Sequence, residues 1–463
     1  MKNDSAKEIK IAYIGGGSRG WAWTFMTDLA LEPQLFGTIC LYDIDEEAAY
    51  KNAVIGNAVS AREEAVGKWH YEVGSSLEEA LSGADFIVLS ILPGTFEEMT
   101  VDVHMPERLS LYQSVGDTAG PGGAIRALRT IPMYVKIAEA IRKFAPNAWV
   151  INYTNPMSLC VKTLYQVFPE IKAFGCCHEV FGTQKLLADI VSMELGIDKI
   201  ERRDIQVNVL GINHFTWFDY ASYKEYDIFP IYRKFVTEHF EEGYDEKDVN
   251  WANACFACSH RVKFDLFNKY GLIAAAGDRH LAEFMPDKIY MKDKETVQKW
   301  KFALTSVDWR KEDLQNRLDK SERLFEGKEE VELKPTGEEG ILLIKALCGL
   351  TQVVSNVNMP NTARQISNLP EAAIVETNAL FERDSIKPVM AGALPEEIHK
   401  LIIPHVENHE RIFKAAMTCD RKLVAEAFLN DPQIKGRASE QELTKLANDM
   451  IDATMKYLPK GWK

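Results

Sequence analysis

Apolar positions in the first half of the chain alternate between two periods. Residues 9–14, Ile-Lys-Ile-Ala-Tyr-Ile, read as a buried strand that a glycine cluster stops at Gly15. Apolar residues recur with helical spacing over 21–31, ahead of Pro33, and the Ala-rich run 48–66 predicts a second helix. Residues 38–42, 86–89 and 149–151 are further short apolar runs of strand type. Strands alternating with helices predict parallel βαβ units and an α/β fold. Past about residue 195 the pattern changes. Residues 207–211 and 219–223 read as strands, while 340–348 and 421–429 read as helices. The charged run 311–334 reads as a solvated helix and loop. Two domains are expected, 1–195 and 196–463.

Composition narrows the partners. Lys and Arg total 54 against 68 Asp and Glu, so the net charge is 54 − 68 = −14. That excess of acid argues against nucleic acid and anionic membrane surfaces, both polyanions. Hydrophobic residues are 46% and charged residues 26%, as in an ordinary globular protein. The first ten residues are polar and lack the apolar run of a signal peptide, and no stretch approaches a membrane helix. Eight cysteines in 463 residues do not make a disulfide scaffold. A cytoplasmic protein is expected.

The glycine cluster carries the first chemistry. Gly15-Gly16-Gly17-Ser18-Arg19-Gly20 fits G-x-G-x-x-G between a strand and a helix. Such glycines let backbone N–H groups approach a pyrophosphate at a helix N-terminus. Asp43 follows Gly20 by 43 − 20 = 23 residues, near the distance expected for a carboxylate on a ribose 2′-hydroxyl. A carboxylate there favours NAD over NADP. Gly15, Gly17, Ser18, Arg19, Gly20 and Asp43 are the expected cofactor site.

Three polar segments follow strand-like runs. They are Asn155-Pro156, Cys176-Cys177-His178-Glu179-Val180 and Asn213-His214. A thiolate and an imidazole at two strand ends could share a divalent metal. The gap 214 − 177 = 37 matches no zinc finger, and a packed cysteine with a core histidine explains the same residues.

Taken together the segments resemble glycoside hydrolase family 4, NAD-dependent glycosidases with a fold like lactate and malate dehydrogenases. The matching pieces are 14–20, 116–123 with 126–129, Asn155-Pro156, Cys177-His178, 211–214, 277–280 and 368–376. The resemblance implies a Rossmann-type NAD-binding domain and a dehydrogenase-like C-terminal α+β domain. It makes Cys177 and His214 the pair that holds Mn²⁺. His178 takes the place of a general acid, Asp278 that of the general base, Asp117 that of its supporting acid, and Asn155 that of a substrate-binding asparagine. The implied cycle is redox-neutral: oxidation at C3 acidifies the C2 proton, C1 eliminates its leaving group, water adds, and the hydride returns.

The quartet Cys177-His178-Glu179-Val180 resembles the α-galacturonidase subgroup. A uronate calls for a cationic clamp, with Arg279 the first candidate and Arg126 or Arg129 the second. Glu179 is expected to orient a neighbouring hydroxyl or cation. Thr95-Phe96-Glu97-Glu98-Met99 stands where phospho-sugar members carry an arginine, which argues against a sugar phosphate. The rivals are an α-glucosidase or α-galactosidase of the same family, a 2-hydroxy-acid dehydrogenase, and an inactive sugar or nucleotide sensor. A homo-oligomer, dimer or tetramer, is expected.

Other residues have plainer readings. Cys255 and Cys258 are expected to pack in a helix, and His399, His405 and His409 to lie on a surface helix. His280 fits either a site or packing, and Trp217 either the core or a stacked sugar.

Overall fold

The computed structural model describes residues 6–245 and 258–462. Six strands make a parallel sheet: β1 (Lys7–Ile14), β2 (Leu35–Tyr42), β3 (Trp69–Val73), β4 (Phe86–Leu89), β5 (Trp149–Asn152) and β6 (Lys172–Gly175). A four-stranded second sheet holds β7 (Ile205–Ile212), β8 (Phe215–Tyr223), β9 (Tyr226–Asp227) and β10 (Ile273–Ala274). Three late strands, β11 (Val353–Pro360), β12 (Ile374–Glu382) and β13 (Ser385–Pro388), return to the first sheet. Its order is β13-β12-β11-β6-β5-β4-β1-β2-β3, with β11 antiparallel to β6. The parallel part therefore runs 6-5-4-1-2-3, the doubly wound Rossmann order.

The alternation of β1 explains the layers. Ile9, Ile11 and Tyr13 face a cluster with Trp23, Met26, Leu343 and Ile344. Ala12 and Ile14 face the opposite cluster, with Tyr134, Ile141 and Leu164. Both faces are covered by helices, so β4 is buried along its whole length. Each parallel strand consequently points its carboxyl end at one edge, where loops 15–20, 90–95, 153–156 and 176–178 meet.

The late strands were not legible in the pattern, because buried polar residues interrupt it. Ser355, Asn356, Asn358, Glu376 and Thr377 are all buried on β11 and β12, on both faces of the sheet. The two halves of the sequence thus share one sheet. The charged run also does more than face solvent: helix Val307–Phe325 packs on helices Glu46–Ala61 and Phe96–His104. Among the described residues, no helix is long and apolar enough to cross a membrane.

Candidate active site

The glycine turn is a cradle that side chains would fill. Gly15 has φ +95, and a Cβ there would lie 1.9 Å from the Ser90 carbonyl oxygen. A Cβ on Gly17 would meet Asp43 Oδ2 at 2.9 Å. The Gly17 N–H donates to that oxygen at 2.8 Å, and the Asp45 N–H donates to Asp43 Oδ1 at 3.0 Å. Asn52, wholly buried, donates to the Gly16 and Ser18 carbonyls at 2.7 and 3.0 Å and so fixes the loop. Gly20 caps helix Trp21–Ala30 without a side-chain cap, which leaves the helix N-terminus open to an anion. Arg19 pairs with Asp45 at 3.2 Å. Arg317, on the charged helix, donates to the Arg19 carbonyl at 3.3 Å. Sequence reasoning overlooked this cation because its helix read as solvated.

A second cluster gathers beside this cradle. Helix Glu179–Leu195 starts where β6 ends, with His178 as its N-cap residue. His214 sits on the two-residue turn between β7 and β8, and His280 on helix Asp278–Phe284. Glu179 lies among them. Its Oε2 accepts from the Gly277 N–H at 2.8 Å, and its Oε1 lies 3.6 Å from His280 Nε2 and 3.9 Å from His178 Nε2. Burial opposes ionisation of Glu179, but His280, His178 and His214 outweigh it and hold the carboxyl down to about 2. The His214 and His280 rings lie 4.0 Å apart. Burial and then His280 hold His214 down to about 3, so its imidazole is neutral.

Asp117 and Asn155 complete this side. Asp117 accepts from Thr118 Oγ1 at 2.8 Å and from Asn155 Nδ2 at 3.4 Å. Burial would raise its carboxyl, yet Arg126, His280 and His214 keep it below the usual range. Asn155 Oδ1 is buried with no protein partner. The loop bearing Asp117 is held by Glu283, whose Oε1 accepts from the Val115 and Gly116 N–H groups at 2.7 and 2.8 Å. On the far side Cys177 is buried, and burial with Glu376 and Glu179 pushes its thiol well above the usual value. Glu338 approaches His178 Nδ1 to 3.6 Å. Trp21, 40% exposed, stacks on Tyr153 and lies 6.0 Å from the His178 ring.

The structure brings together Cys177, His178, Glu179, His214, Asp117 and Asn155, and adds His280, Glu338 and Glu376. It does not bring Asp278 to them. Both Asp278 oxygens accept backbone N–H bonds, from Val262 and Lys263, at 3.1 Å. Asp278 and His280 are two residues apart on one helix, about 200° around its axis, and so face opposite ways. Instead Asp278, Cys258 and His260 place potential ligand atoms within 4.8 Å of one another.

Arg279 is not a free clamp either. It donates to the carbonyls of Ala303 and Ser114 and to Thr305 Oγ1, which ties loops together. Arg129 is committed to a buried pair with Asp102. Arg126 donates to the Asn155 carbonyl at 3.2 Å and stays nearest the cluster. His405 is a core residue, bonded to the Phe284 carbonyl at 2.9 Å, and not a surface one. Trp217 is fully buried and packs in a core cluster with Phe215 and Tyr270. Cys255 lies outside the described residues.

A doubly wound sheet with a glycine cradle, and a cluster of histidine, cysteine and acid at its carboxyl edge, define a dinucleotide-dependent enzyme. The chain belongs to the family 4 glycosyl hydrolases. The pattern of a family 4 glycosyl hydrolase matches residues 10–193, and that of the family's C-terminal domain matches 209–434. An α-galacturonidase from Lachnoclostridium phytofermentans is 68% identical over 460 residues, covering 99% of either chain. The crystal structure of lplD from Bacillus subtilis superposes with TM-score 0.90 at 51% identity, covering 96% of this chain and 99% of that one. A 6-phospho-α-glucosidase from gut microorganisms, solved with NAD and Mn²⁺, shares the fold at TM-score 0.77 and 19% identity, covering 98% of this chain and 99% of that one.

Proposed function

We propose that this chain is an α-galacturonidase that works with NAD⁺ and Mn²⁺. The observation that carries the reading is the convergence of Cys177, His178, Glu179, His214 and Asp117 beside the glycine cradle. The full-length identity to a protein named α-galacturonidase supports the sugar. The turn fits a dinucleotide: its glycines let the backbone fold tightly against Ser90 and Asp43, the uncapped N-terminus of helix Trp21–Ala30 would take the pyrophosphate, and Asp43 would take the ribose. The donor pair fits a divalent ion. A neutral His214 offers a lone pair, and a cation would offset the burial and nearby carboxylates that keep the Cys177 thiol protonated. When bound, the pair of cofactors supplies a hydride acceptor and a Lewis acid for the sugar oxygens.

The chain's own residues do the rest. His178 donates a proton to the leaving oxygen. Its Nδ1 lies 3.6 Å from Glu338 and its Nε2 3.9 Å from Glu179, so two carboxylates flank the ring. The base was expected to be Asp278, but geometry favours His280, a buried imidazole beside the Glu179 carboxylate. Asp117 steadies the cationic form of His280 and takes part in holding Asn155, whose Oδ1 is left for a sugar hydroxyl. Glu179 orients His178 and His280 rather than the uronate, which it would repel.

The test is a panel of p-nitrophenyl α-glycosides with NADH absorbance followed throughout. Galacturonide cleavage that needs NAD⁺ and Mn²⁺ without NADH build-up is expected. Cleavage of the neutral galactoside alone overturns the sugar, and steady NADH production with a 2-hydroxy acid overturns the class.

Three coarser points belong with this reading. A domain division near residues 195 and 196 rests on the end of helix Glu179–Leu195 at Gly196, a left-handed cap, with the C-terminal part lending β11–β13 back to the first sheet. Seven described cysteines, all free, support the cytoplasm. Exposed Val354, Val389 and Met390 near β13 support a homo-oligomer, which light scattering reads.

A further inference from the structure

Glu376 is a carboxylate that the chemistry above does not use. It lies on β12, paired in register with Asn358 of β11, which in turn pairs with Gly175 at the end of β6. It is 1% exposed and meets no lysine or arginine in any of its hydrogen bonds. Its two oxygens are bound separately. Oε2 accepts from Asn213 Nδ2 at 3.1 Å, and Oε1 accepts from Asn356 Nδ2 at 2.6 Å. Asn213 is the residue before His214. Asn356 Nδ2 also donates to the Cys177 carbonyl, at 3.3 Å.

We infer that Glu376 is the positioning residue of the metal pair, one carboxylate that sets the backbone of Cys177 and of His214 at the same time. This rests on the reading that those two residues hold Mn²⁺. The physical reason is that the two ligands come from different sheets. Cys177 follows β6 of the large sheet, and His214 sits on the β7–β8 turn of the small one. Their separation is set by contacts between the two sheets, of which the Asn213 side chain against the Cys177 thiol is one. A buried carboxyl group with two amide donors ties each side to a common point, and leaving either amide unpaired there would cost the desolvation of a buried polar group. Glutamine would keep one oxygen and turn its NH₂ toward an asparagine NH₂. One of the two ties must then break or its asparagine amide must turn over, which for Asn213 would put its unpartnered Oδ1 in place of the Nδ2 donor.

The test uses the full chain with Mn²⁺ as the probe. Free Mn²⁺ is counted by its paramagnetic resonance signal in titrations of the wild type, Glu376→Gln and Asn356→Ala. NAD⁺ binding, read by tryptophan quenching, serves as the control for an intact fold. Both variants are expected to weaken Mn²⁺ binding about tenfold to a hundredfold, as outer-sphere partners of metal ligands do, with NAD⁺ affinity held within about twofold. Unchanged Mn²⁺ affinity in either folded variant overturns the inference. Parallel loss of Mn²⁺ and NAD⁺ binding, or failure of both variants to fold, also overturns it, by assigning the network to folding. Cys177→Ser and His214→Ala are run beside them. If those leave Mn²⁺ affinity untouched, the metal reading itself is wrong, whatever the Glu376 variants do.

Discussion

Replacing Asp43 by asparagine isolates the charge that reads the cofactor. The side chain keeps its shape, so the Gly17 N–H at 2.8 Å and the Asp45 N–H at 3.0 Å can still compete for an oxygen. What is lost is the charge on the acceptor. A hydrogen bond to an ionised acceptor contributes about 1.5–3 kcal/mol, against about 0.5–1.5 for a neutral one. One such bond to the ribose and one within the loop together lose about 2–3 kcal/mol. That is about a 30- to 150-fold weaker NAD⁺ complex, at about 1.4 kcal/mol per decade. NADP⁺ should respond in the opposite direction. Its 2′-phosphate would no longer meet a carboxylate, a repulsion of about 1–4 kcal/mol per charge pair at 4 Å. Calorimetric titration of both dinucleotides, with melting temperature as the fold control, reads the outcome. A wild-type NAD⁺ affinity in Asp43→Asn, with the preference over NADP⁺ intact, would refute the assignment of the ribose contact to this residue.

Further outcomes are expected elsewhere. Arg129 and Asp102 are both essentially unexposed, with Nη1 and Oδ1 at 3.0 Å, so Arg129→Met alone should lose about 3–5 kcal/mol in urea unfolding while Arg129→Met with Asp102→Leu loses less. Equal losses in the single and double variants would show that the buried charge is not the cause. Burial and the nearby Asp117 push Glu283 from 4.5 up to about 8. Between those values the folded chain holds a proton that the unfolded chain has released. Its contribution is therefore complete below about pH 4.5 and falls as pH rises toward 8, by on the order of 5 kcal/mol. Glu283→Gln, an isostere of the protonated form, should flatten that slope between pH 6 and 8, and an unaltered slope counts against it. His280→Gln should lower kcat by about a hundredfold or more, while Asp278→Asn mainly lowers the melting temperature. The reverse pattern returns the base to Asp278.

The parallel half of the fold was readable because its strands are continuous apolar runs with glycine stops. Strands β11 and β12 were not, since Asn356, Asn358 and Glu376 break the alternation that marks a strand. The polar residues that hide these strands are the ones that build the site's floor. The proposed cofactor residues Gly15, Gly17 and Asp43 could be placed together from local spacing alone, as turn, helix and strand end are neighbours in sequence. The other residues could be named by resemblance but not oriented. Asp278 and His280 differ by two positions, and only the direction of one helix decides which of them faces Glu179. Arg279 was the natural clamp by charge, yet three acceptors from other loops claim it. Arg317 comes from the run 311–334, whose charge pattern resembles any solvated surface, and Glu338 lies just past its end in a stretch that carries no motif.

The net charge of −14 acquires its meaning at this site. Asp117, Glu179, Glu338 and Glu376 surround the histidines, and Arg126 is the nearest guanidinium that touches this group. A uronate entering such a site without further cations would meet like charge, at about 1–4 kcal/mol per pair near 4 Å. With Arg279 committed to carbonyls, two further sources of compensating field stand beside Arg126. One is the N-terminus of helix Glu179–Leu195, whose dipole places about half a positive charge beside Cys177 and Glu179. The other is the divalent ion of the proposed Cys177–His214 pair. On this reading the metal is a condition for admitting an anionic sugar at all, in addition to its part in the chemistry. The acids that would repel a uronate are then the same ones that would draw the cation in and keep its ligands in place.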